Sequence, residues 1–277
     1  MRYNALLFPN RNGPMTTRLI FLLTLVLQLL LSAAPRYEIR GDSTMLDANM
    51  SLFLRQWRDS TTAPIREGNY TNVRLCADCG DTKTVALTFD DSPDENTTFA
   101  VLDVLKRYGV KASFFMIGAP MNDLNATAVK RAHDEGHLVL NHSFTHPRLS
   151  TLPPDRLIDE IRSAETKIAS ITGRFPRLVR PPYGSINRSV VETLNTEGYT
   201  TVLWSLDSLD WAIKDPLEIE RNVIANIRPG DIVLMHSSRS NAATAKALGP
   251  IIERLRSMGY RFETLDRHLG VEGYRDR

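Results

Sequence analysis

The sequence is short of cysteine, of net charge and of long apolar runs. Two cysteines among 277 residues are too few for a disulfide framework or a four-cysteine zinc site. Lysine plus arginine number 34 against 32 acidic residues, a net charge of +2. That balance lacks the basic excess of a nucleic-acid binder, so no nucleic-acid partner is expected. No internal repeat and no low-complexity tract is present. Apolar residues make up 42% and charged residues 24%, which argues against a fully disordered chain, a collagen or a coiled coil. What remains is an ordinary globular chain, long enough for one large domain or two small ones.

One apolar run stands out. Leu19 to Ala34 is interrupted only by Thr24, Gln28 and Ser32. Arg18 precedes it directly, and Arg2 and Arg11 lie upstream. This is the pattern of a charged n-region and an apolar h-region. At about 16 residues the run falls short of the ~20 that span a bilayer comfortably. Ser32-Ala33-Ala34 offers small residues for cleavage, although Pro35 is a poor neighbour for a signal peptidase. Residues 1–34 are therefore expected to be a cleaved signal peptide or an uncleaved membrane anchor, with a buried core helix as the third reading. Met15 is an alternative start. Either of the first two readings puts the rest of the chain outside the cytoplasm: secreted, periplasmic, or anchored and facing outward. The membrane is a partner only if the segment stays uncleaved.

Residues 35–82 read as a connecting region. Thr44 and Asp47 have capping-box spacing, and Leu46, Met50, Phe53, Leu54 and Trp57 follow at helical intervals. A short amphipathic helix is expected from Met45 to Arg58, packed on the main domain, with a membrane-surface helix as the competing reading. Asp59 to Asn72 contains Thr, Gly and Pro and reads as loop. Cys76-Ala77-Asp78-Cys79 is a C-x-x-C, expected in an exported chain to be a local disulfide rather than a redox pair or zinc site.

From Lys83 the pattern turns regular. Candidate strands are Thr84–Phe89, Lys111–Ile117, His137–Asn141, Arg177–Arg180, Thr200–Leu206, Asp231–His236 and Tyr260–Glu263. Candidate helices alternate with them: Thr97–Tyr108, Asp123–Glu135, Asp155–Thr172, Ile186–Glu197, Pro216–Ile227 and Ala242–Met258. Glycines punctuate the stops, Gly109, Gly136 and Gly173 among them. Repeated βα units imply an α/β fold on a parallel sheet. Periodicity does not separate a closed barrel from an open, doubly wound sheet. Residues 271–277 read as a polar tail, and His268 nearby as solvated.

In such folds the chemistry sits beyond the carboxyl ends of the strands. Five of the seven ends carry reactive or planar polar groups: Asp90-Asp91, His142 to His146, Arg180 to Tyr183, Asp207 to Trp211, and His236. His142 and His146 have i, i+4 spacing, which on one helical turn places two imidazoles on one face for a single metal; Pro147 requires the turn to end there. His133 and His137 repeat the spacing, but Gly136 between them marks a helix end, so they are expected to be surface or structural. Two adjacent carboxylates, Asp90 and Asp91, are costly without compensation. One is suited to a metal and the other to a proton.

This constellation resembles the polysaccharide deacetylase family, the NodB-homology carbohydrate esterases. The resemblance runs from about Lys83 to Leu269 and covers all five family motifs in order. It implies a distorted (β/α) barrel, here of about seven parallel strands, with residues 83–270 as the catalytic domain. It implies Asp91, His142 and His146 as ligands of a divalent metal, usually zinc, with cobalt, nickel or manganese as alternatives. Asp90 matches the family's catalytic base, Arg180 the residue that holds it, His236 the general acid and Asp210 the carboxylate behind that acid. Tyr183 matches the residue whose backbone N–H binds the oxyanion, and Trp211 and Leu234 the lining of the acetyl pocket. Asp207 is given a supporting role. The implied activity is removal of N-acetyl groups from N-acetylglucosamine units of an extracytoplasmic polysaccharide, peptidoglycan first, then poly-N-acetylglucosamine or chitin oligomers. An O-acetyl esterase acting on xylan, or a non-catalytic carbohydrate-binding module, are the alternatives. One departure is Ser92, where the first motif usually has glycine. A positive φ there would strain serine, whereas the following Pro93 favours extended geometry.

Overall fold

The computed structural model describes residues 37–276 apart from residue 69 and residues 78–81. The expected signal peptide or anchor, and the expected Cys76–Cys79 disulfide, lie outside the described residues. Among the described residues no helix is long and apolar enough to cross a membrane.

The strands are β1 (Val73–Arg74), β2 (Thr84–Ser92), β3 (Ser113–Met116), β4 (Leu138–Asn141), β5 (Phe175–Pro176), β6 (Leu178–Val179), β7 (Thr200–Val202), β8 (Leu206–Asp207), β9 (Ile232–His236), β10 (Arg261–Phe262) and β11 (Tyr274–Arg275). The helices are α1 (Ala48–Gly68), α2 (Thr97–Tyr108), α3 (Asp123–Asp134), α4 (Pro154–Thr172), α5 (Arg188–Thr196), α6 (Pro216–Asn226), α7 (Ala242–Ser257) and α8 (Leu265–Leu269). The main sheet runs β1-β7-β6-β4-β3-β2-β9-β8, with β10 added beside β2, and these pairings are parallel.

Strand β2 is central, and eight of its nine residues are buried. Helices on one side and the curled sheet on the other exclude water from both faces, so residues 85–89 read as an apolar run broken only by Thr88. The segment expected as one strand, Thr200–Leu206, is two. Its first part, β7, pairs with β6, and its second part, β8, pairs with β9. Because β9 also pairs with β2, the sheet curls back on itself into a distorted barrel. The break at 203–205 is what lets one extended segment serve both neighbours.

The helix and loop expected before Lys83, the polar tail and the solvated His268 are corrected by the structure. The helix expected over Met45–Arg58 starts three residues later, with Asp47 as the cap: its carboxylate accepts the Met50 N–H at 2.7 Å. It then continues to Gly68, through the segment expected as loop and through Pro64. Leu54, Thr61, Thr62 and Ile65 are buried along it, and Ile65 completely so. That burial outweighs an interior proline, which costs about 3 kcal/mol. The C-terminal residues do not form a loose tail. β11 pairs antiparallel with β5, the Tyr274 hydroxyl accepts the Val139 N–H at 3.0 Å, and Arg275 grips Glu165 at 2.7 Å. His268, expected to be solvated, is buried in α8 with Nε2 3.0 Å from the Gly230 carbonyl oxygen.

Candidate active site

Along β2, alternation puts Ala86, Thr88 and Asp90 on one face. Arg180, fully buried after β6, reaches that face and donates to Thr88 Oγ1 at 2.8 Å and Asp90 Oδ1 at 2.7 Å. It also donates to the Leu203 carbonyl at 2.9 Å. Its guanidinium lies over Phe115 at 4.1 Å and Trp204 at 5.4 Å. Burial pulls the arginine's pKa down, and the Asp90 carboxylate opposes that shift.

Asp91, where the register of β2 with β3 shifts, has φ +64°. An extended residue would point its side chain to the opposite face from Asp90. The left-handed turn instead brings Asp91 Oδ1 within 3.4 Å of His142 Nε2 and 3.1 Å of His146 Nε2. Ser92 does not carry the positive φ, so a serine in place of the usual glycine costs no left-handed strain there.

The histidines converge, but not on a helical turn. Residues 142–148 carry no helix, and positive φ at Ser143 (+67°) and His146 (+63°) folds the loop. Pro147 disfavours the helical geometry that the spacing suggested. Asn141 Oδ1 accepts the Ser143 N–H at 2.9 Å, and Ser143 Oγ accepts the His146 N–H at 3.1 Å, so the loop is tied internally. His142 Nδ1 faces the Arg180 carbonyl oxygen at 2.7 Å and must donate to it. That leaves His142 Nε2 as the free lone pair, aimed at Asp91.

One ligand atom each from Asp91, His142 and His146 lies within 4.8 Å of the others. Two imidazole nitrogens and a carboxylate oxygen this close can share one cation, and nitrogen plus oxygen donors suit a borderline divalent metal. The residues therefore fit the metal expected from the resemblance. Burial pushes the Asp91 carboxyl up, but the His142 and His146 imidazoles beside it outweigh that and hold the group well below the usual carboxylate range.

On the far side, His236 ends β9. Its Nδ1 lies 2.7 Å from Asp210 Oδ1, and its own N–H donates to Asp210 Oδ2 at 2.7 Å. Thr244 donates to the same Oδ2 at 2.6 Å. Burial works to lower the His236 pKa, yet the Asp210 charge prevails and pushes it up to about 10. Asp207 accepts from the Leu209 N–H at 2.8 Å and from the Trp211 indole at 3.3 Å, and its burial raises its pKa. Leu209 carries φ +62°.

A cavity of about 240 Å³ joins these parts. Asp90, Asp91, His142, His146, Tyr183, Trp211, Leu234 and His236 all line it. Arg180 and Asp210 sit behind, each fully buried and each bonded to a lining residue. All the expected site residues are thus brought together. His133 and His137 are not; His137 is buried elsewhere, and its Nδ1 accepts the Ala112 N–H at 3.1 Å. The cavity also takes in Phe53, Trp57, Arg148, Trp204, Ser240 and Asn241, which sequence reasoning did not assign to the site. Arg148 had a signal, two residues beyond His146. Phe53 and Trp57 were legible only as the apolar stripe of a helix, because they lie on α1, upstream of every motif.

Comparison with known proteins agrees with this geometry. The family model for polysaccharide deacetylase matches residues 77–202. The peptidoglycan-N-acetylglucosamine deacetylase PgdA of Listeria monocytogenes is 38% identical over 188 residues, 68% of this chain and 39% of that protein. This chain therefore spans well under half of that relative's length. The chitooligosaccharide deacetylase of a Bradyrhizobium species is 37% identical over 205 residues, 69% of this chain and 93% of that protein. Among solved structures, the Bc1960 peptidoglycan N-acetylglucosamine deacetylase superposes with a TM-score of 0.72 at 32% identity. That match covers 76% of this chain and 98% of the other.

Proposed function

This chain belongs to the polysaccharide deacetylase family, and we propose on that footing that it is a metal-dependent N-deacetylase. The substrate is an extracytoplasmic polysaccharide containing N-acetylglucosamine, and the product is acetate. Peptidoglycan ranks first, because the Listeria relative carries that activity in its name, and chitin oligomers come next, by the Bradyrhizobium relative. The export pattern of residues 1–34 agrees with an enzyme working outside the cytoplasm, and residues 83–270 form the catalytic domain.

One observation carries the reading. The Asp91–His142–His146 cluster faces two separate ion-paired groups, Asp90 with Arg180 and His236 with Asp210, across a single cavity. A divalent metal held by Asp91, His142 and His146, zinc first, supplies Lewis acidity toward an amide carbonyl and acidifies water. Asp90 accepts the proton from the attacking water, and Arg180 fixes the carboxylate's orientation. The backbone N–H of Tyr183 donates to the oxyanion of the tetrahedral species. His236, held protonated by Asp210, gives its proton to the departing nitrogen. The carbon–nitrogen bond then breaks to acetate and a free amine. Trp211 and Leu234 wall the space for the acetyl methyl group, and Asp207 holds the Trp211 indole.

The test is a substrate panel. The purified chain is incubated with zinc and, in parallel, with peptidoglycan, N-acetylglucosamine oligomers and acetylated xylan. Acetate matched by new free amines, greatest on peptidoglycan, is the expected result. Acetate without amines, confined to xylan, would replace the reading with an O-acetyl esterase.

A further inference from the structure

The match to the polysaccharide deacetylase family model begins at residue 77, yet α1, at Ala48–Gly68, touches the active-site cavity. It does so at the loop whose backbone the reaction uses. Tyr183 and Gly184 both adopt left-handed conformations, with φ +60° each. Glycine takes that conformation freely, but tyrosine does so only where its surroundings impose it.

Several contacts impose it. Pro181 and Pro182 stiffen the approach. On the side-chain side, the Tyr183 ring packs edge-on against His146 at 4.7 Å, and Arg148 lies over it at 4.6 Å. These fix the ring. The peptide plane is held from α1. The Trp57 indole N–H donates to the Tyr183 carbonyl oxygen at 3.0 Å. One turn further along α1, Thr61 packs against Gly184 so closely that a β-carbon there would meet Thr61 Cγ2 at 3.1 Å. Trp57 is itself stacked on Trp204, ring centroids 5.7 Å apart, and Trp204 covers the Arg180 guanidinium.

We propose that Trp57 is a positioning residue for this reaction: through the Tyr183 carbonyl it holds the peptide planes that aim the Tyr183 N–H at the oxyanion. The proposal rests on the deacetylase reading above, and it makes α1 a working part of the active site rather than a connector. A hydrogen bond to the carbonyl fixes ψ of Tyr183, and the ring contacts fix the rest of the residue. With both in place, the N–H direction is set before substrate arrives, which is what an oxyanion donor requires. A purely structural Trp57 would serve the fold by its ring alone.

Trp57→Phe separates the two, because it keeps an aromatic ring to pack on Trp204 and removes the N–H along with part of the indole. Steady-state rates are measured on N-acetylglucosamine oligomers, together with the melting temperature. Amide hydrogen exchange is followed in the peptide spanning residues 181–190, where the Gly184 and Ser185 N–H groups bond back to Pro181 and Pro182. The expected result is a kcat about 10-fold lower with KM changed less than about 2-fold, a smaller loss than the 10²–10³ of removing an oxyanion donor outright. Exchange of those amides quickens by about 5-fold or more while the melting temperature holds within about 2 °C. An unchanged kcat, or unchanged exchange, would overturn the proposal. If the wild-type chain releases no acetate at all, the functional reading fails, and exchange alone then decides whether Trp57 holds the loop.

Discussion

Asp90 and Asp91 are neighbours with different partners, and one backbone angle divides them. Asp90 faces Arg180, while Asp91, with φ +64°, turns toward the histidines. Five described non-glycine residues have positive φ: Asp91, Ser143, His146, Tyr183 and Leu209. Each is a site residue or adjoins one. A left-handed non-glycine residue costs roughly 1–2 kcal/mol, so the strain gathers where the cavity is built. The division of labour is testable. Asp91→Ala and His142→Ala should each lose bound metal and at least about 10³-fold in kcat/KM together. Asp90→Asn should keep the metal, by elemental analysis, and lose about 10²–10⁴-fold in kcat. Loss of metal from Asp90→Asn would contradict its assignment as base. A second test concerns pH. His236 must be protonated to act as acid, and Asp210 holds its pKa up to about 10. Removing that charge in Asp210→Asn lowers the pKa, so the alkaline limb of kcat/KM moves to lower pH. An alkaline limb at the same pH in both proteins would remove Asp210 from this role.

At the scale of elements, most helices were legible because their ends carry signals. Helix α2 stops where expected, at Gly109, which takes φ +61° and bonds back to Lys106. Helix α7 was placed to within a residue for the same reason of periodicity. Helix α1 was half legible. Its apolar stripe at Met50, Leu54 and Trp57 is plain, but its continuation is buried through Thr61 and Thr62, residue types that read as loop beside Pro64. Burial is a tertiary fact that no local pattern carries. The loop 142–148 failed differently: i, i+4 spacing identified the right pair of histidines and the wrong conformation, because left-handed Ser143 and His146 leave no mark in composition. The residues proposed as metal ligands, base and acid were all legible as one cluster, since each follows or ends a recognisable strand. The wall supplied by α1 was not. Phe53, half exposed on that wall, offers an aromatic face to a sugar. Phe53→Ala is expected to raise KM for oligomers about 3–10-fold with kcat little changed, read from initial rates. A fall in kcat at constant KM would show that Phe53 serves the chemical step instead.

The whole molecule sets the conditions under which the site exists. The curled parallel sheet brings the ends of β2, β4, β6, β8 and β9 to one rim, so residues far apart in sequence meet without any long loop. Stability of that barrel should fall in mild acid through His137. Burial holds its pKa down to about 4 against an ordinary 6.5, and its Nδ1 is occupied as an acceptor. The unfolded imidazole binds a proton first as pH falls. The folded state therefore loses stability between pH 6.5 and about 4, at up to about 1.4 kcal/mol per pH unit for this one proton. His137→Asn should flatten that slope in urea unfolding measured from pH 7 to 4, and an equal slope in both proteins would contradict it. The central claim is that one cavity unites metal, base and acid to cleave an amide. The most direct measurement strips the purified chain with a chelator and restores zinc while acetate and free amines are counted on N-acetylglucosamine oligomers. The stripped protein should release nothing, and acetate and amine should appear in equal amounts once one zinc per chain is restored. Equal release with and without the metal, or acetate without amine, would contradict the claim.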